Sequence, residues 1–126
     1  MIHKIRILLV EDEILTAMYM KAVLEKSGFQ IIDNVATGEK AVTSFVENKP
    51  DIILMDIMLA GQINGIEAAH MINDIEGRSV PVIFCTAYGD RDIREKAEEV
   101  KPVDFLIKPL DMMKLTSLIE NWFISN

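Results

Sequence analysis

Five short apolar runs alternate with five stretches of helical periodicity, and this alternation sets the fold class before any single residue is considered. The runs lie at about residues 4–10, 30–36, 52–56, 80–86 and 103–107. The helical stretches lie at about residues 13–26, 39–48, 65–75, 90–100 and 111–123. Strict alternation of this kind implies parallel strands joined by right-handed crossovers. Parallel strands are covered on both faces, so they read as unbroken apolar runs, as Ile52-Ile53-Leu54-Met55 does. Five units in 126 residues predict an α/β fold with an open, doubly wound sheet, forming one domain over residues 1–126. A closed barrel would need eight units and about 250 residues. Ser27-Gly28 marks the end of the first helix, Thr37-Gly38 leads into the second, and Pro50-Asp51 opens the central strand. Residues 58–64 read as a loop, with Gly61 and Gly65 as breakers. The last helix carries Leu115, Leu118, Ile119 and Trp122 on one stripe.

Half the residues are hydrophobic, so a packed chain is expected rather than a disordered one. Twenty acidic residues against 13 basic ones give a net charge of -7, and no basic stripe is present to replace counterions on nucleic acid. Cys85, the one cysteine, lies inside an apolar run and is expected to be a buried thiol rather than a redox centre. Asp56 interrupts the longest apolar stretch, which leaves no segment of membrane length. Glu11-Asp12-Glu13 breaks any leader-like segment. A cytoplasmic chain without membrane span, linker or output domain is the expectation.

Three of the apolar runs end in charge. Glu11-Asp12-Glu13 follows the first, Asp56 closes the third, and Lys108-Pro109 follows the fifth. A carboxylate in an apolar strand is costly unless it reaches a cation or water. In a parallel α/β sheet the strand ends converge on one edge, where ligands bind. Acids and a lysine on that edge predict a site for a divalent metal and a phosphoryl group. Each fragment also has a plainer explanation. The acids could favour a helix N-terminus, Lys108-Pro109 could simply end a strand, and Thr86 could be an ordinary β residue. Asp56 is the hardest to explain this way, because a buried acid needs a partner.

Leu8-Leu9-Val10-Glu11-Asp12-Glu13, Pro50-Asp51-Ile52-Ile53-Leu54-Met55-Asp56, Thr86-Ala87 and Lys108-Pro109, in that order, resemble the receiver domain of two-component response regulators. The resemblance covers essentially the whole chain. It implies a flavodoxin-like (βα)5 three-layer sandwich with strand order 2-1-3-4-5. It implies that Asp56 is the phosphoacceptor. A carboxylate attacks phosphorus only when a cation removes the repulsion between two anions. Asp12 and Asp56 would bind that cation, Glu11 through a water, with the backbone carbonyl of Met58 as a further ligand. An oxygen-only set suits Mg²⁺ or Mn²⁺. Lys108 would contact Asp56 and the incoming phosphoryl group, and Thr86 would hydrogen-bond it. Ala87 is small enough to leave it room. Met58 and Tyr88 would flank the site and tune the access of water. The donor implied is the phosphohistidine of a sensor histidine kinase or histidine phosphotransfer protein; His3 and His70 are expected to be ordinary residues. The resemblance implies a signalling domain, with metal-dependent self-phosphorylation and slow self-dephosphorylation, that acts on a downstream protein target as a monomer or weak homodimer. The alternative is a phosphorelay intermediate, or a receiver fragment of a larger regulator or hybrid kinase.

This chain departs from the pattern in two places. Ala60 stands where many members carry Pro, and the segment 59–65 reads as a longer loop. Phe105 stands where many carry a switch Tyr; it can move between buried and exposed positions, but it has no hydroxyl to anchor either. Ile93, Ala97 and Val100 are the apolar positions of the fourth helix, so it should be lightly held, leaving Arg91, Arg94, Glu95, Glu98 and Glu99 free for a partner. Other functions fit less well. A flavin phosphate would be repelled by Glu11-Asp12-Glu13. A haloacid-dehalogenase phosphatase needs a second Asp where Met58 stands. A docking module indifferent to phosphate would have no use for the full set of Asp12, Asp56, Thr86 and Lys108.

Overall fold

The computed structural model describes residues 3–125. Five strands, β1 (Arg6–Val10), β2 (Gln30–Val35), β3 (Ile52–Met55), β4 (Val82–Thr86) and β5 (Asp104–Ile107), alternate with five helices. These are α1 (Ile14–Lys26), α2 (Gly38–Asn48), α3 (Gly65–Glu76), α4 (Arg91–Glu98) and α5 (Met112–Ser125). All strand pairs are parallel, and the sheet order is β2-β1-β3-β4-β5. The expected doubly wound fold is therefore present. No helix among the described residues is long and apolar enough to cross a membrane.

Side-chain alternation along the strands divides the core in two. Leu8, Val10, Ile53, Met55 and Phe84 face α2, α3 and α4, where Phe45, Ile72 and Ala97 meet them. Ile7, Leu9, Ile52, Leu54 and Ile83 face α1 and α5, where Leu24, Leu115 and Ile119 meet them. The three inner strands are buried almost throughout, whereas β2 and β5 form the edges. Truncating a central side chain such as Leu54 to Ala would cost about 2–5 kcal/mol.

Local signals set most element ends. Thr37 caps α2 by accepting from the Lys40 amide at 3.1 Å. Asn64 and Glu67 form a reciprocal capping box on α3, with bonds of 2.9 Å in each direction. Several bounds differ from the sequence reading. Val80-Pro81 precedes β4, because Pro81 offers no amide to the ladder, although its carbonyl accepts from Ile53 at 3.0 Å. Apolar Val100 extends the expected fourth helix, but α4 ends at Glu98: the amides of Val100 and Lys101 reach back only three residues, and Lys101 turns to a φ of 53°. The Lys108-Pro109 peptide is cis.

Candidate functional site

The site is an extension of the sheet by one residue on several strands. Glu11 donates its amide to the Val35 carbonyl at 2.9 Å, Asp56 to Val10 at 3.0 Å, and Lys108 to Thr86 at 2.8 Å. Because the ladder continues, so does the alternation of side chains. Glu11 follows Ile7 and Leu9, Asp56 follows Ile52 and Leu54, and Lys108 follows Leu106, all on the face covered by α1 and α5. The three side chains meet there. Lys108 Nζ donates to Glu11 Oε2 and to Asp56 Oδ2, each at 2.8 Å.

Asp12 points differently, and its Oδ2 accepts from the Ala60 amide at 3.1 Å. Even so, Glu11, Asp12 and Asp56 each offer a carboxylate oxygen, and these oxygens lie within 4.8 Å of one another. Glu11 and Asp56 are buried and Asp12 is exposed, so the cluster opens to solvent on the Asp12 side. Two of the three carboxylates, Glu11 and Asp56, share one ammonium. The donor set is hard oxygen, and it fits a small divalent cation.

The charges leave their mark on the acid–base balance. Burial, with the neighbouring Asp56 charge, holds the Glu11 carboxyl above its ordinary value; the bond from Lys108 opposes this and does not win. Burial pulls the Lys108 ammonium down, but its bonds to Asp56 and Glu11 outweigh that and raise it. The two partners thus shift in ways a simple ion pair would not give. Lys108 gains from two acids, while Glu11 shares one lysine with a competing carboxylate. Nearby Cys85 is buried and free, with its thiol pushed up to about 12 by burial, which keeps it inert.

Of the remaining expected residues, Met58 bonds an acid of this cluster directly. Met58 donates its amide to Asp56 Oδ1 at 3.3 Å, and its side chain is half exposed. Thr86 ends β4 fully buried, with its hydroxyl accepting from the Tyr88 amide at 3.3 Å. Ala87 and Tyr88 are exposed on the following loop. Phe105 lies away from the acids, turned inward against Phe84 at 6.3 Å between ring centroids. Glu11 bonds Lys108 through one oxygen and with the other accepts from the amide of Glu13 at 3.3 Å, while Glu13 takes the N-cap position of α1 without a side-chain cap bond and pairs with the Thr16 hydroxyl. The polar positions left for a partner at the fourth helix, Arg91, Arg94, Glu95, Glu98 and Glu99, are all exposed, and four of them make contacts of their own. Arg91 pairs with Glu95 at 3.0 Å, Arg94 stacks on Phe105, and Glu99 lies 3.8 Å from His70 on α3. Sequence reasoning missed Glu39, which accepts from the amides of Gln62 at 3.1 Å and Ile63 at 3.4 Å in the loop after β3.

A parallel sheet in this order, with acids and a lysine converging beyond β1, β3 and β5, defines a class: the receiver modules of two-component signalling. The description "Response regulator receiver domain" matches residues 7–120, and the chain belongs to that family. It is a phosphoacceptor signalling domain. Among its relatives, the chemotaxis protein CheY of Bacillus subtilis is 31% identical over 114 residues, 90% of this chain and 93% of that protein. The transcriptional regulatory protein PdtaR of Mycobacterium tuberculosis is 32% identical over 115 residues, 91% of this chain but 55% of that protein, so the chain spans about half the length of that relative. Among solved structures, the receiver domain of a modulated diguanylate cyclase from Desulfovibrio desulfuricans G20 superposes with a TM-score of 0.85. It is 33% identical, with 94% of this chain and 92% of that chain covered. A CheX–CheY–BeF3–Mg complex from Borrelia burgdorferi is also similar, at a TM-score of 0.85 and 27% identity, over 94% of this chain and 88% of that chain.

Proposed function

We propose that Asp56 accepts a phosphoryl group from a phosphohistidine on a sensor histidine kinase or histidine phosphotransfer protein, and that the domain then signals in the cytoplasm to a downstream protein. The observation that carries this reading is the pair of hydrogen bonds that Lys108 Nζ donates to Glu11 and Asp56, each at 2.8 Å. A lysine so held fixes the Asp56 carboxylate and lies where charge develops on a phosphoryl oxygen. In the transfer, an Asp56 oxygen forms the new bond to phosphorus. The bond from phosphorus to the donor imidazole nitrogen breaks, its electron pair stays on that nitrogen, and the ring, protonated on its other nitrogen, leaves as neutral imidazole. Thr86, two residues beyond the Phe84 partner of Met55, would donate its hydroxyl proton to the transferred group, its oxygen being the acceptor for the Tyr88 amide.

Asp12 and Asp56, with Glu11 through a water and the Met58 carbonyl, would hold Mg²⁺ or Mn²⁺ here. When bound, the cation supplies the positive charge that lets two anions approach. A protein donor is supported by the apolar residues around the site: Ile14, Leu15, Met18 and Tyr19 on α1 are more than half exposed. Intact-mass spectrometry with a small-molecule phosphodonor and Mg²⁺ tests the assignment. One added phosphoryl group is expected on the wild type and none on Asp56→Asn. Equal labelling of both would move the site elsewhere.

A further inference from the structure

The loop between β3 and α3 is longer than the chemistry of Asp56 requires, and its course is specific. It crosses beyond the end of β1 and meets the start of α2, where Ala60 forms a parallel bridge with Thr37. On the way, the Ala60 amide donates to Asp12 Oδ2 at 3.1 Å. The next residue, Gly61, turns with a φ of 97°. That φ favours glycine, and a Cβ there would lie 2.8 and 3.0 Å from the two carboxylate oxygens of Glu39, which would have to shift to make room. Glu39 then accepts the two following amides, from Gln62 at 3.1 Å and Ile63 at 3.4 Å. Asn64 closes the loop by starting the α3 capping box.

We infer that Glu39 is a positioning residue for the metal site: it fastens the β3–α3 loop to α2, and through the Ala60 amide that loop sets the orientation of Asp12. This rests on the reading of Asp12 as a metal ligand given above. The chain of contacts is short. Glu39 fixes residues 62–63, the bridge to Thr37 fixes residue 60, and residue 60 bonds the carboxylate. The same loop begins at Met58, whose carbonyl is a proposed ligand. Both of its contributions to the site therefore depend on one course of backbone. The Gln62 amide and the amide of Glu39 itself hold the Glu39 carboxyl below its ordinary value, as expected for an acceptor in use. The Asp12 carboxylate is exposed, so burial does not fix its rotamer, and a bond from a fastened amide does that instead.

The test is calorimetric titration of Mg²⁺ into the metal-free chain, with amide exchange measured in chelator. Removing a group that orients a metal ligand typically weakens binding about 10- to 100-fold, and an exposed contact one step further out should cost about 3- to 10-fold. That loss is expected for Glu39→Ala, with faster exchange at Ala60, Gln62 and Ile63 before any metal is added. Glu39→Gln keeps one oxygen acceptor and should fall between Ala and wild type. Glu47→Gln, which removes the same charge from the exposed side of α2, should bind as wild type does. Should Glu39→Ala not fold, Glu39→Gln and Gly61→Ala report on the same contact. Wild-type affinity in Glu39→Ala would overturn the inference. So would equal weakening in Gln and Ala with unchanged exchange, since that is the mark of bulk charge. If the wild-type chain itself binds no Mg²⁺, the metal reading fails first, and the inference with it.

Discussion

The guanidinium carbon of Arg94 lies 4.8 Å from the centroid of the Phe105 ring. The ring is buried, and it leans on Phe84 at an interplanar angle of 56°. A phenyl ring has no hydroxyl to anchor it, so in this chain a cation from α4 performs that task from outside. The contact also ties α4, whose one buried residue is Ala97, to the edge strand β5. Arg94→Ala should therefore lower stability by about 0.5–1 kcal/mol in denaturant unfolding. Combined with Phe105→Leu, the two losses should not add, since each variant removes the same contact. Strict additivity would mean that the stacking contributes nothing.

The pairing of Lys108 with Glu11 and Asp56 makes stability depend on pH in two windows. Glu11 has its folded pKa raised above 4.5, chiefly by burial, so its contribution is fully present below that value and is lost as pH rises through the raised pKa. Lys108 is raised above 10.5 by its two acids, so its contribution persists through neutral pH and is lost only as pH rises past its folded value. In metal-free buffer at pH 7, Glu11→Gln should unfold at higher denaturant than wild type, and the gain should vanish toward pH 4. Lys108→Met should unfold at lower denaturant at pH 7, by about 2 kcal/mol. That figure sits between the values for exposed and buried pairs, because the site is partly open to water. A destabilised Glu11→Gln at pH 7 would show that its bond to Lys108 outweighs its burial.

The fold was legible because period and composition carry it. Runs such as Ile52-Ile53-Leu54-Met55 have no other use than a strand covered on both faces, and Asp56 stands out against them. That Glu11, Asp56 and Lys108 come together also follows from sequence, since each sits just past the end of an apolar run. What was not legible depends on the path of a loop or on a contact between elements. Nothing in the spacing of Glu39 and Gln62, or of Arg94 and Phe105, says that they touch. The end of α4 was misjudged for a related reason. Val100 is apolar and 2% exposed, but it reaches the core from a turn after the helix rather than from the helix itself.

Gly65 opens α3 directly against the residue that follows β3, Asp56. Its amide donates to Ile57 at 2.8 Å, and a Cβ on it would lie 2.1 Å from the Asp56 carbonyl oxygen. No side-chain rotation relieves a clash with backbone, so either α3 or Asp56 must move. Gly65→Ala should cost about 1–3 kcal/mol, the range for forcing extra atoms into a packed site. It should also slow labelling of Asp56 by a small-molecule phosphodonor at saturating Mg²⁺. A variant with full stability and full labelling rate would show that the start of α3 yields freely and does not position Asp56.

Thr86 stands at the end of β4, between the acid cluster and the loop that leads to α4. Its hydroxyl is buried and accepts the Tyr88 amide at 3.3 Å, while its strand neighbour Ile107 lies two residues beyond Phe105. The oxygen accepts from Tyr88, so the hydroxyl proton is free to donate to a phosphoryl group on Asp56. If Thr86 shifts to make that bond, the Tyr88 amide it holds would be pulled with it, in the loop of residues 87–89 that leads to the start of α4 after Asp90. On the proposed reading, a phosphoryl group would favour one of two arrangements of α4 and Phe105 by bonding better in one than in the other. Couplings of this kind are worth about 1–3 kcal/mol. Thr86→Ala should still accept phosphate on Asp56, because it leaves Lys108 and the acids in place. It should lose the change in amide exchange across residues 90–105 that phosphorylation causes in wild type, whereas Thr86→Ser, which keeps the hydroxyl, should retain it. If Thr86→Ala responds there as fully as wild type, the signal leaves the site by a route that does not pass through this hydroxyl.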